Sequence, residues 1–113
     1  MAVTDVTMLV ERLEAFEERL GVRLESLGPQ LNPLLDDLVH LEIRGEMHPQ
    51  AGTELQQDVK LVVAAYDANG RIVGTDSHLF EAGGFFGFET FEIIVQIYVN
   101  KLTRVRVYPK RND

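Results

Sequence analysis

Apolar and polar residues alternate from Leu38 to Met47, and this alternation predicts a β-strand. Successive side chains of a strand point to opposite faces of a sheet, so the two kinds of residue separate. The apolar face would carry Val39, Leu41, Ile43 and Met47. The polar face would carry His40, Glu42, Arg44 and Glu46. The pattern is typical of an antiparallel strand with one buried face. Gly45 falls on the apolar side, where glycine indicates a bulge or a close backbone contact.

The stretch from Asp58 to Phe80 predicts a β-hairpin. Two apolar runs, residues 59–66 and 71–80, flank the sequence Asp67-Ala68-Asn69-Gly70. Asn-Gly between such runs favours a tight turn, because both residues tolerate a positive φ. Both faces of the first run are apolar near its middle, so we expect this strand to lie at the centre of its sheet.

Two further strands are predicted near the end of the chain. Residues 89–97 alternate, with an apolar face of Phe91, Ile93, Val95 and Ile97. Residues 103–108 place Val105 and Val107 inward and Arg104 and Arg106 outward, and Pro109 is expected to end that strand. Five strands at short spacing without intervening helices predict a mainly β fold, an antiparallel sandwich.

A different periodicity, with spacings of three and four, predicts an amphipathic α-helix from residue 5 to about residue 20. The stripe consists of Val6, Leu9, Leu13, Phe16 and Leu20. Thr4 or Asp5 is a candidate N-cap, and Gly21 is a candidate stop.

Read as heptads, this helix places Arg12 at a g position and Glu17 at an e position. In a parallel coiled coil, Arg12 of one chain would face Glu17 of its partner. No Glu and Arg within the helix are three or four residues apart, which favours pairing with a second chain. The alternative is that the helix packs on its own domain, because three heptads are short for an isolated coiled coil.

These patterns divide the chain into three parts. Residues 1–27 form the N-terminal helix, a possible dimerisation segment, and residues 38–113 form the sandwich. Residues 28–37 are predicted to be a linker, because two prolines and two adjacent acids oppose regular structure there.

Composition narrows the range of partners. The 113 residues carry a net charge of -7, which argues against nucleic acid and anionic membrane surfaces. The absence of cysteine excludes disulfides and thiolate metal sites. The first residues lack the features of a signal peptide, and no apolar run is long enough to span a bilayer, so a cytoplasmic location is expected.

Phenylalanines cluster in a glycine-rich segment near residue 85. Five of the six lie within twelve residues, at positions 80, 85, 86, 88 and 91. We expect Phe88 and Phe91 to close the core of the sandwich. Phe85 and Phe86 have two interpretations, an exposed binding loop or a lid on the core.

Other polar residues give little sign of chemistry. His40, His48 and His78 form no cluster with metal-ligand spacing. Asp76, Ser77 and His78 are consecutive in a strand, so they point to alternate faces and cannot form a triad with one another. Gly83, Gly84 and Gly87 have no nearby Lys or Arg and do not open a helix, unlike a phosphate-binding loop. We therefore predict no catalytic, cofactor or metal site.

The hairpin also resembles the FxLYD domain, a small bacterial and archaeal immunoglobulin-like sandwich. Tyr66, Asp67 and Gly70 match its strand-turn pattern, whereas Val63 and Ala65 stand where the family favours Phe and Leu. The resemblance covers roughly residues 38–108. It implies an immunoglobulin-like β-sandwich, here with an N-terminal amphipathic helix, and an accessory or protein-interaction role.

The function expected from the sequence is therefore that of a non-enzymatic interaction module. It would self-associate as a homodimer through its N-terminal helix, and it could bind another protein through Phe85 and Phe86. The alternative is a small-molecule-binding protein or enzyme with an apolar cavity near the Gly-Phe segment.

Overall fold

Two four-stranded sheets form a sandwich in the computed structural model, which describes residues 3–112. The eight strands of this range are β1 (Thr4–Asp5), β2 (Val10–Arg12), β3 (Val22–Leu35), β4 (Leu38–Pro49), β5 (Val59–Tyr66), β6 (Ile72–Phe80), β7 (Glu89–Tyr98) and β8 (Arg104–Arg111). The single α-helix described, α1, spans Glu14–Leu20, and 3-10 turns occupy Thr7–Leu9, Ala82–Gly84 and Val99–Lys101. The prediction of a mainly β sandwich is confirmed.

The first sheet has the order β1-β3-β4-β7, and the second has the order β2-β8-β5-β6. We call them the β4 sheet and the β5 sheet. Neighbouring strands are antiparallel except β2 and β8, which run parallel. Both sheets turn their apolar faces inward, and the most deeply buried side chains include Leu41, Ile43, Leu61, Val63 and Val107. The predicted inward faces of β4 and β7 and the central place of β5 are confirmed.

The hairpin turn between β5 and β6 depends on Gly70 and Asp67. Gly70 has φ 75°, whereas Asn69 keeps a negative φ, so only one of the two residues uses its tolerance of the left-handed region. The Gly70 N–H donates to the Asp67 carbonyl at 3.0 Å, and the Asp67 N–H donates to the Arg71 carbonyl at 2.9 Å. The Asp67 carboxylate also accepts hydrogen bonds from the Asn69 and Arg71 N–H groups.

The predicted helix over residues 5–20 is wrong for its first half. Residues 4–12 instead cross the open side of the sandwich. Thr4 pairs with Leu31 in the β4 sheet, and Val10 pairs with Val105 in the β5 sheet. Backbone pairing with two distant strands replaces the local hydrogen bonds of a helix. The apolar residues spaced by three and four point inward because they lie on successive short elements, not on one face of a helix. The described part of the first 27 residues, from residue 3 onward, therefore belongs to the sandwich.

The remaining helical turns form α1, which ends at Gly21. Gly21 has φ 71°, a conformation that glycine adopts readily, and its N–H donates to the carbonyls of Glu17 and Glu18. The helix packs against β8 and β3, so it covers the same open side of the sandwich as β1 and β2.

The predicted linker over residues 28–37 is also wrong, because β3 continues to Leu35 and pairs with β4. The Pro29 carbonyl accepts a hydrogen bond from the Val6 N–H, so the backbone polar groups of Pro29 face away from β4. Pro33, four residues on, faces the same side, beyond the end of β1. Neither proline therefore removes a donor that β4 requires.

A bulge in β3 accommodates the glycine of β4. Ser26 and Leu27 lie opposite the single residue Gly45, and Ser26 has φ 57°. A Cβ atom at Gly45 would lie 2.9 Å from Cζ of Phe91 and 3.0 Å from Cδ2 of Leu27. The expectation of a bulge or close contact at Gly45 is confirmed.

β8 passes through Pro109 instead of ending there, and Pro109 is buried opposite Leu61. The Val107 carbonyl faces β2 and accepts from the Leu13 N–H at 3.5 Å. Pro109, two residues on, faces the same side, and the last pair on that side is Arg12 with Val107. The proline nitrogen therefore lies where no neighbouring strand needs a donor.

The other side of the sandwich is closed by a direct contact between β6 and β7. A Cβ atom at Gly74 would lie 2.7 Å from both Cγ2 of Ile97 and Cγ1 of Val95. Only a residue without a side chain allows the two strands to approach this closely.

Candidate functional site

The heptad reading paired Arg12 with Glu17 of a second chain, but the two residues meet within one chain. Arg12 Nη2 lies 2.7 Å from Glu17 Oε1, and Arg12 Nε lies 3.2 Å from Glu17 Oε2. The Leu24 N–H also donates to Glu17 at 3.0 Å, and Arg12 donates to the Leu24 carbonyl at 2.9 Å. The hydrogen bond that Arg12 donates to Glu17 is the main cause of the raised pKa of Arg12. Both charged groups therefore have partners inside the domain.

The apolar stripe predicted for the helix is also used mostly inside the domain. Val6 and Leu20 are buried in the core, and Leu9 and Leu13 are partly buried. Phe16 is 45 % exposed, and its ring meets that of Tyr108 edge-on at a centroid distance of 5.8 Å. Of the five stripe residues, only Phe16 presents a large exposed surface to a partner.

The glycine-rich segment, residues 81–88, which we call the aromatic loop, places its phenylalanines in two environments. Phe85 is buried, and its ring packs edge-on against Phe80 at 6.3 Å. It therefore belongs to the core beneath the loop. Phe86 is 68 % exposed and Phe88 is 50 % exposed. The expectation of a core position is confirmed for Phe91 and wrong for Phe88.

Hydrogen bonds hold the aromatic loop in place. The Gly87 N–H donates to the Thr53 carbonyl at 2.8 Å, and the Ala82 N–H donates to the Asp58 carboxylate at 2.9 Å. The ring of Phe88 stacks on His48 at 5.1 Å with an angle of 8° between the planes. The exposed rings thus project from an anchored backbone.

His48 is also within reach of two carboxylates. Its Nε2 lies 2.9 Å from Glu46 Oε1 and 3.2 Å from Glu25 Oε2. In residues 3–112, however, no group of three or more His, Asp or Glu side chains has the arrangement of a metal site.

The outer face of the β4 sheet contains a buried carboxylate, that of Glu42. Gln30 Nε2 donates to it at 2.8 Å, Asn32 Nδ2 at 3.2 Å and Arg44 Nη2 at 3.3 Å. The hydrogen bond from Gln30 is the main reason why the pKa of Glu42 lies below its ordinary value. Burial acts in the opposite direction, and Asn32 and Arg44 lower the pKa further. Gln30 and Asn32 lie in β3, and Glu42 lies in β4. The cluster therefore joins these two neighbouring strands and stabilises the sheet.

The outer face of the β5 sheet is basic and aromatic. The guanidinium carbons of Arg104 and Arg106 lie 4.9 and 5.2 Å from the centre of the Tyr66 ring. Arg106 also donates to Glu11 at 2.9 Å, whereas Arg104 Nε is buried without a hydrogen-bond partner among the described residues. One register position pairs Lys60 with Lys110.

Asp76, Ser77 and His78 lie in β6, which is an edge strand of the β5 sheet. The Ser77 N–H donates to the Asp76 carboxylate at 2.7 Å, and the His78 ring packs against Phe80 at 4.7 Å. Ser77 pairs with Val62 and His78 with Leu61, so their side chains point to opposite faces. The Asp76 carboxylate accepts the hydrogen bond of a backbone N–H on this edge strand. A charged side chain in that position discourages pairing with a further strand.

Comparison with known proteins adds no family to this picture: no family model, curated protein or solved structure matches the chain. Within the described range, no helix has the length and apolar character needed to cross a bilayer. Sequence reasoning missed the buried position of Glu42, because its partners Gln30 and Asn32 fell in the predicted linker. It also missed the basic face at Lys60 and Lys110, although the alternation of Arg104, Arg106 and Lys110 was a readable signal.

Proposed function

We propose that this protein is a non-enzymatic interaction module that forms a homodimer through its aromatic loop. The observation that carries the proposal is the exposure of Phe86 and Phe88 on a loop fixed by backbone hydrogen bonds. Aromatic side chains are enriched in interfaces, and a rigid presentation lowers the entropy cost of binding.

A second copy is a suitable partner because a two-fold interface brings the same patch together from both subunits. Phenylalanine rings suit such an interface, because a ring of one subunit can pack edge-to-face or offset against the equivalent ring of the other. The helix is a weaker choice than the loop, because Arg12 and Glu17 are satisfied within the chain and only Phe16 of the stripe is well exposed.

The immunoglobulin-like assignment, the resemblance to the FxLYD domain and a cytoplasmic location belong to this proposal. Strand order supports the first of these. If β3, β4 and β7 are taken as strands A, B and E, then β5 and β8 take the places of C and F in the opposite sheet. β2 lies beside β8 in the place of strand G, but it runs parallel to β8 and precedes it in the chain, which departs from the immunoglobulin pattern.

Light scattering coupled to size-exclusion chromatography tests the dimer. We expect a dimeric mass for the wild type and a monomeric mass for the double variant Phe86→Ser/Phe88→Ser. Leu35→Ser is the matched control, because it removes a side chain that is 70 % exposed at the turn between β3 and β4, and it should remain dimeric. A monomeric wild type, or a double variant that keeps the dimeric mass, would overturn the proposal.

A further inference from the structure

A cavity of about 400 Å³ lies between α1 and β8. We call it the cationic pocket. Its lining consists of Phe16, Arg19, Leu20, Pro109, Lys110 and Arg111. The volume falls within the range of small-molecule sites, roughly 300–1,000 Å³.

Positive charge is concentrated here in a chain whose net charge is -7. Arg19, Lys110 and Arg111 are exposed, and Lys60 stands directly opposite Lys110 in the sheet. Like charges in that position repel each other and destabilise a sheet. None of these four cations takes part in an ion pair within the described residues, whereas Arg12, Arg23, Arg44 and Arg106 all do.

Two opposing fields, that of the α1 dipole and that of the nearest acids, reduce the positive potential of this cluster. The C-terminal end of a helix carries roughly half a negative charge, and α1 ends beside Arg19. Three full positive charges line the pocket itself, so they outweigh that dipole. The nearest acids, Glu18 and Glu54, line an adjoining depression that shares Arg19 with the pocket, and they lower the positive potential on that side. Neither of them lines the cationic pocket, whose charged lining residues are all basic.

The pocket also has an apolar wall. Leu20 and Pro109 are buried at its base, and the exposed ring of Phe16 stands beside them, supported edge-on by Tyr108. A planar apolar group can pack against Phe16 while its anionic end meets the cations. Guanidinium groups suit phosphate and carboxylate oxygens in particular, since they offer two parallel donors.

We propose that the cationic pocket binds a small organic anion, in which a phosphate or carboxylate group is attached to a planar apolar group. The pocket shares no lining residue with the aromatic loop, and anion binding and dimer mass are measured independently, so either proposal can fail without the other.

Titration of the ¹⁵N-labelled protein with phenyl phosphate, followed by NMR, tests this site. We expect saturable shifts at the amides of Phe16, Arg19, Leu20, Lys110 and Arg111. Benzoate distinguishes the two anionic groups, and inorganic phosphate alone tests the apolar wall. Phenyl phosphate should bind several-fold more tightly than inorganic phosphate, because the phenyl group adds buried apolar contact. Equal binding of the two would overturn the aromatic part of the proposal.

The double variant Lys110→Gln/Arg111→Gln should bind phenyl phosphate about tenfold more weakly or worse, because two charge-assisted contacts are lost. Arg71→Gln/Lys101→Gln is the matched control, since it changes the net charge equally at the opposite end of β5 and β8. Thermal unfolding checks that both variants fold. An equal loss in both variants, or no saturable shift at the pocket with either phenyl phosphate or benzoate, would overturn the proposal.

Discussion

The carboxylate of Glu17 accepts hydrogen bonds from the guanidinium of Arg12 and from the N–H of Leu24. Arg12 ends a strand of the β5 sheet, Leu24 lies in the β4 sheet, and Glu17 lies on the helix between them. The Glu17 side chain is only 3 % exposed, whereas that of Arg12 is 34 % exposed. This buried acid therefore joins α1 and β2, which cover one side of the sandwich, to β3 of the β4 sheet.

Replacement of Glu17 by alanine should lower the free energy of unfolding by about 3 kcal/mol. The variant leaves the guanidinium of Arg12 and the N–H of Leu24 without their buried partner. Urea denaturation measures the change. Glu18→Ala, on the exposed side of the same helix, is the control and should change stability by less than about 0.5 kcal/mol. Similar losses in the two variants would contradict the stabilising role of the Glu17 contacts, because alanine itself favours the helix.

Gly74→Ala should destabilise the fold by about 2 kcal/mol, because its methyl group would overlap the branched side chains of Val95 and Ile97. Both of these side chains are stiff at χ1 and can move aside only at a cost. Gly84→Ala introduces the same methyl group where nothing lies within 4 Å. It should leave stability nearly unchanged in the same chemical denaturation experiment. A neutral Gly74→Ala would mean that β6 and β7 can separate freely.

Phe85 and Phe86 are neighbours of the same type with opposite exposure, which makes them a matched pair. Phe85→Ala should cost about 3 kcal/mol or more, because it empties the space beside Phe80. Phe86→Ala should change the stability of the monomer by less than about 0.5 kcal/mol. The comparison requires dilute protein, so that association does not contribute to the measured stability. Equal costs would contradict the assignment of Phe85 to the core.

Glu42 should contribute a pH-dependent part of the stability. Its pKa is lowered in the folded state, mainly by Gln30, so the unfolded chain takes up a proton at higher pH than the folded one. The contribution is therefore complete above the unfolded pKa of roughly 4.3 and is lost as the pH falls through the lower, folded value.

Denaturation of the wild type and of Glu42→Gln between pH 7 and pH 3 measures this contribution. The advantage of the wild type should be constant above about pH 5 and should shrink as the pH falls below about 4. Glu81→Gln, which removes an exposed carboxylate, serves as the control for the change in net charge. The same pH dependence in both variants would contradict the role of the Gln30 hydrogen bond.

The long strands could be predicted from the sequence because apolar and polar residues alternate along them, as expected when one face of a strand is buried. This holds for Leu41 and Ile43 in β4 and for Ile93 and Val95 in β7. Residues 4–12 could not be predicted in this way. Their pairing partners lie in β3 and β8, and spacings of three and four arise equally from a helix and from short strands that cross between two sheets.

The surfaces were harder to predict than the core. Exposure of Phe86 and burial of Phe85 depend on how the loop folds over Phe80. No pattern in the sequence predicts this conformation. Likewise, Arg19 and Lys110 meet only because α1 packs against β8. The prolines at 29 and 33 misled the prediction because their effect depends on which side of the strand is paired.

The parallel pairing of β2 with β8 has a consequence for the folding pathway. Glu11 and Arg106, which face each other across these strands, are 95 residues apart in the chain. Contacts between such distant residues are slow to form, since a long loop must close before any of them is gained. During synthesis the hairpin of β3 and β4 can form early, whereas β2 has no partner until β8 has been made. We therefore expect the attachment of β2, α1 and their ion pair to be a late step, after the two sheets have met.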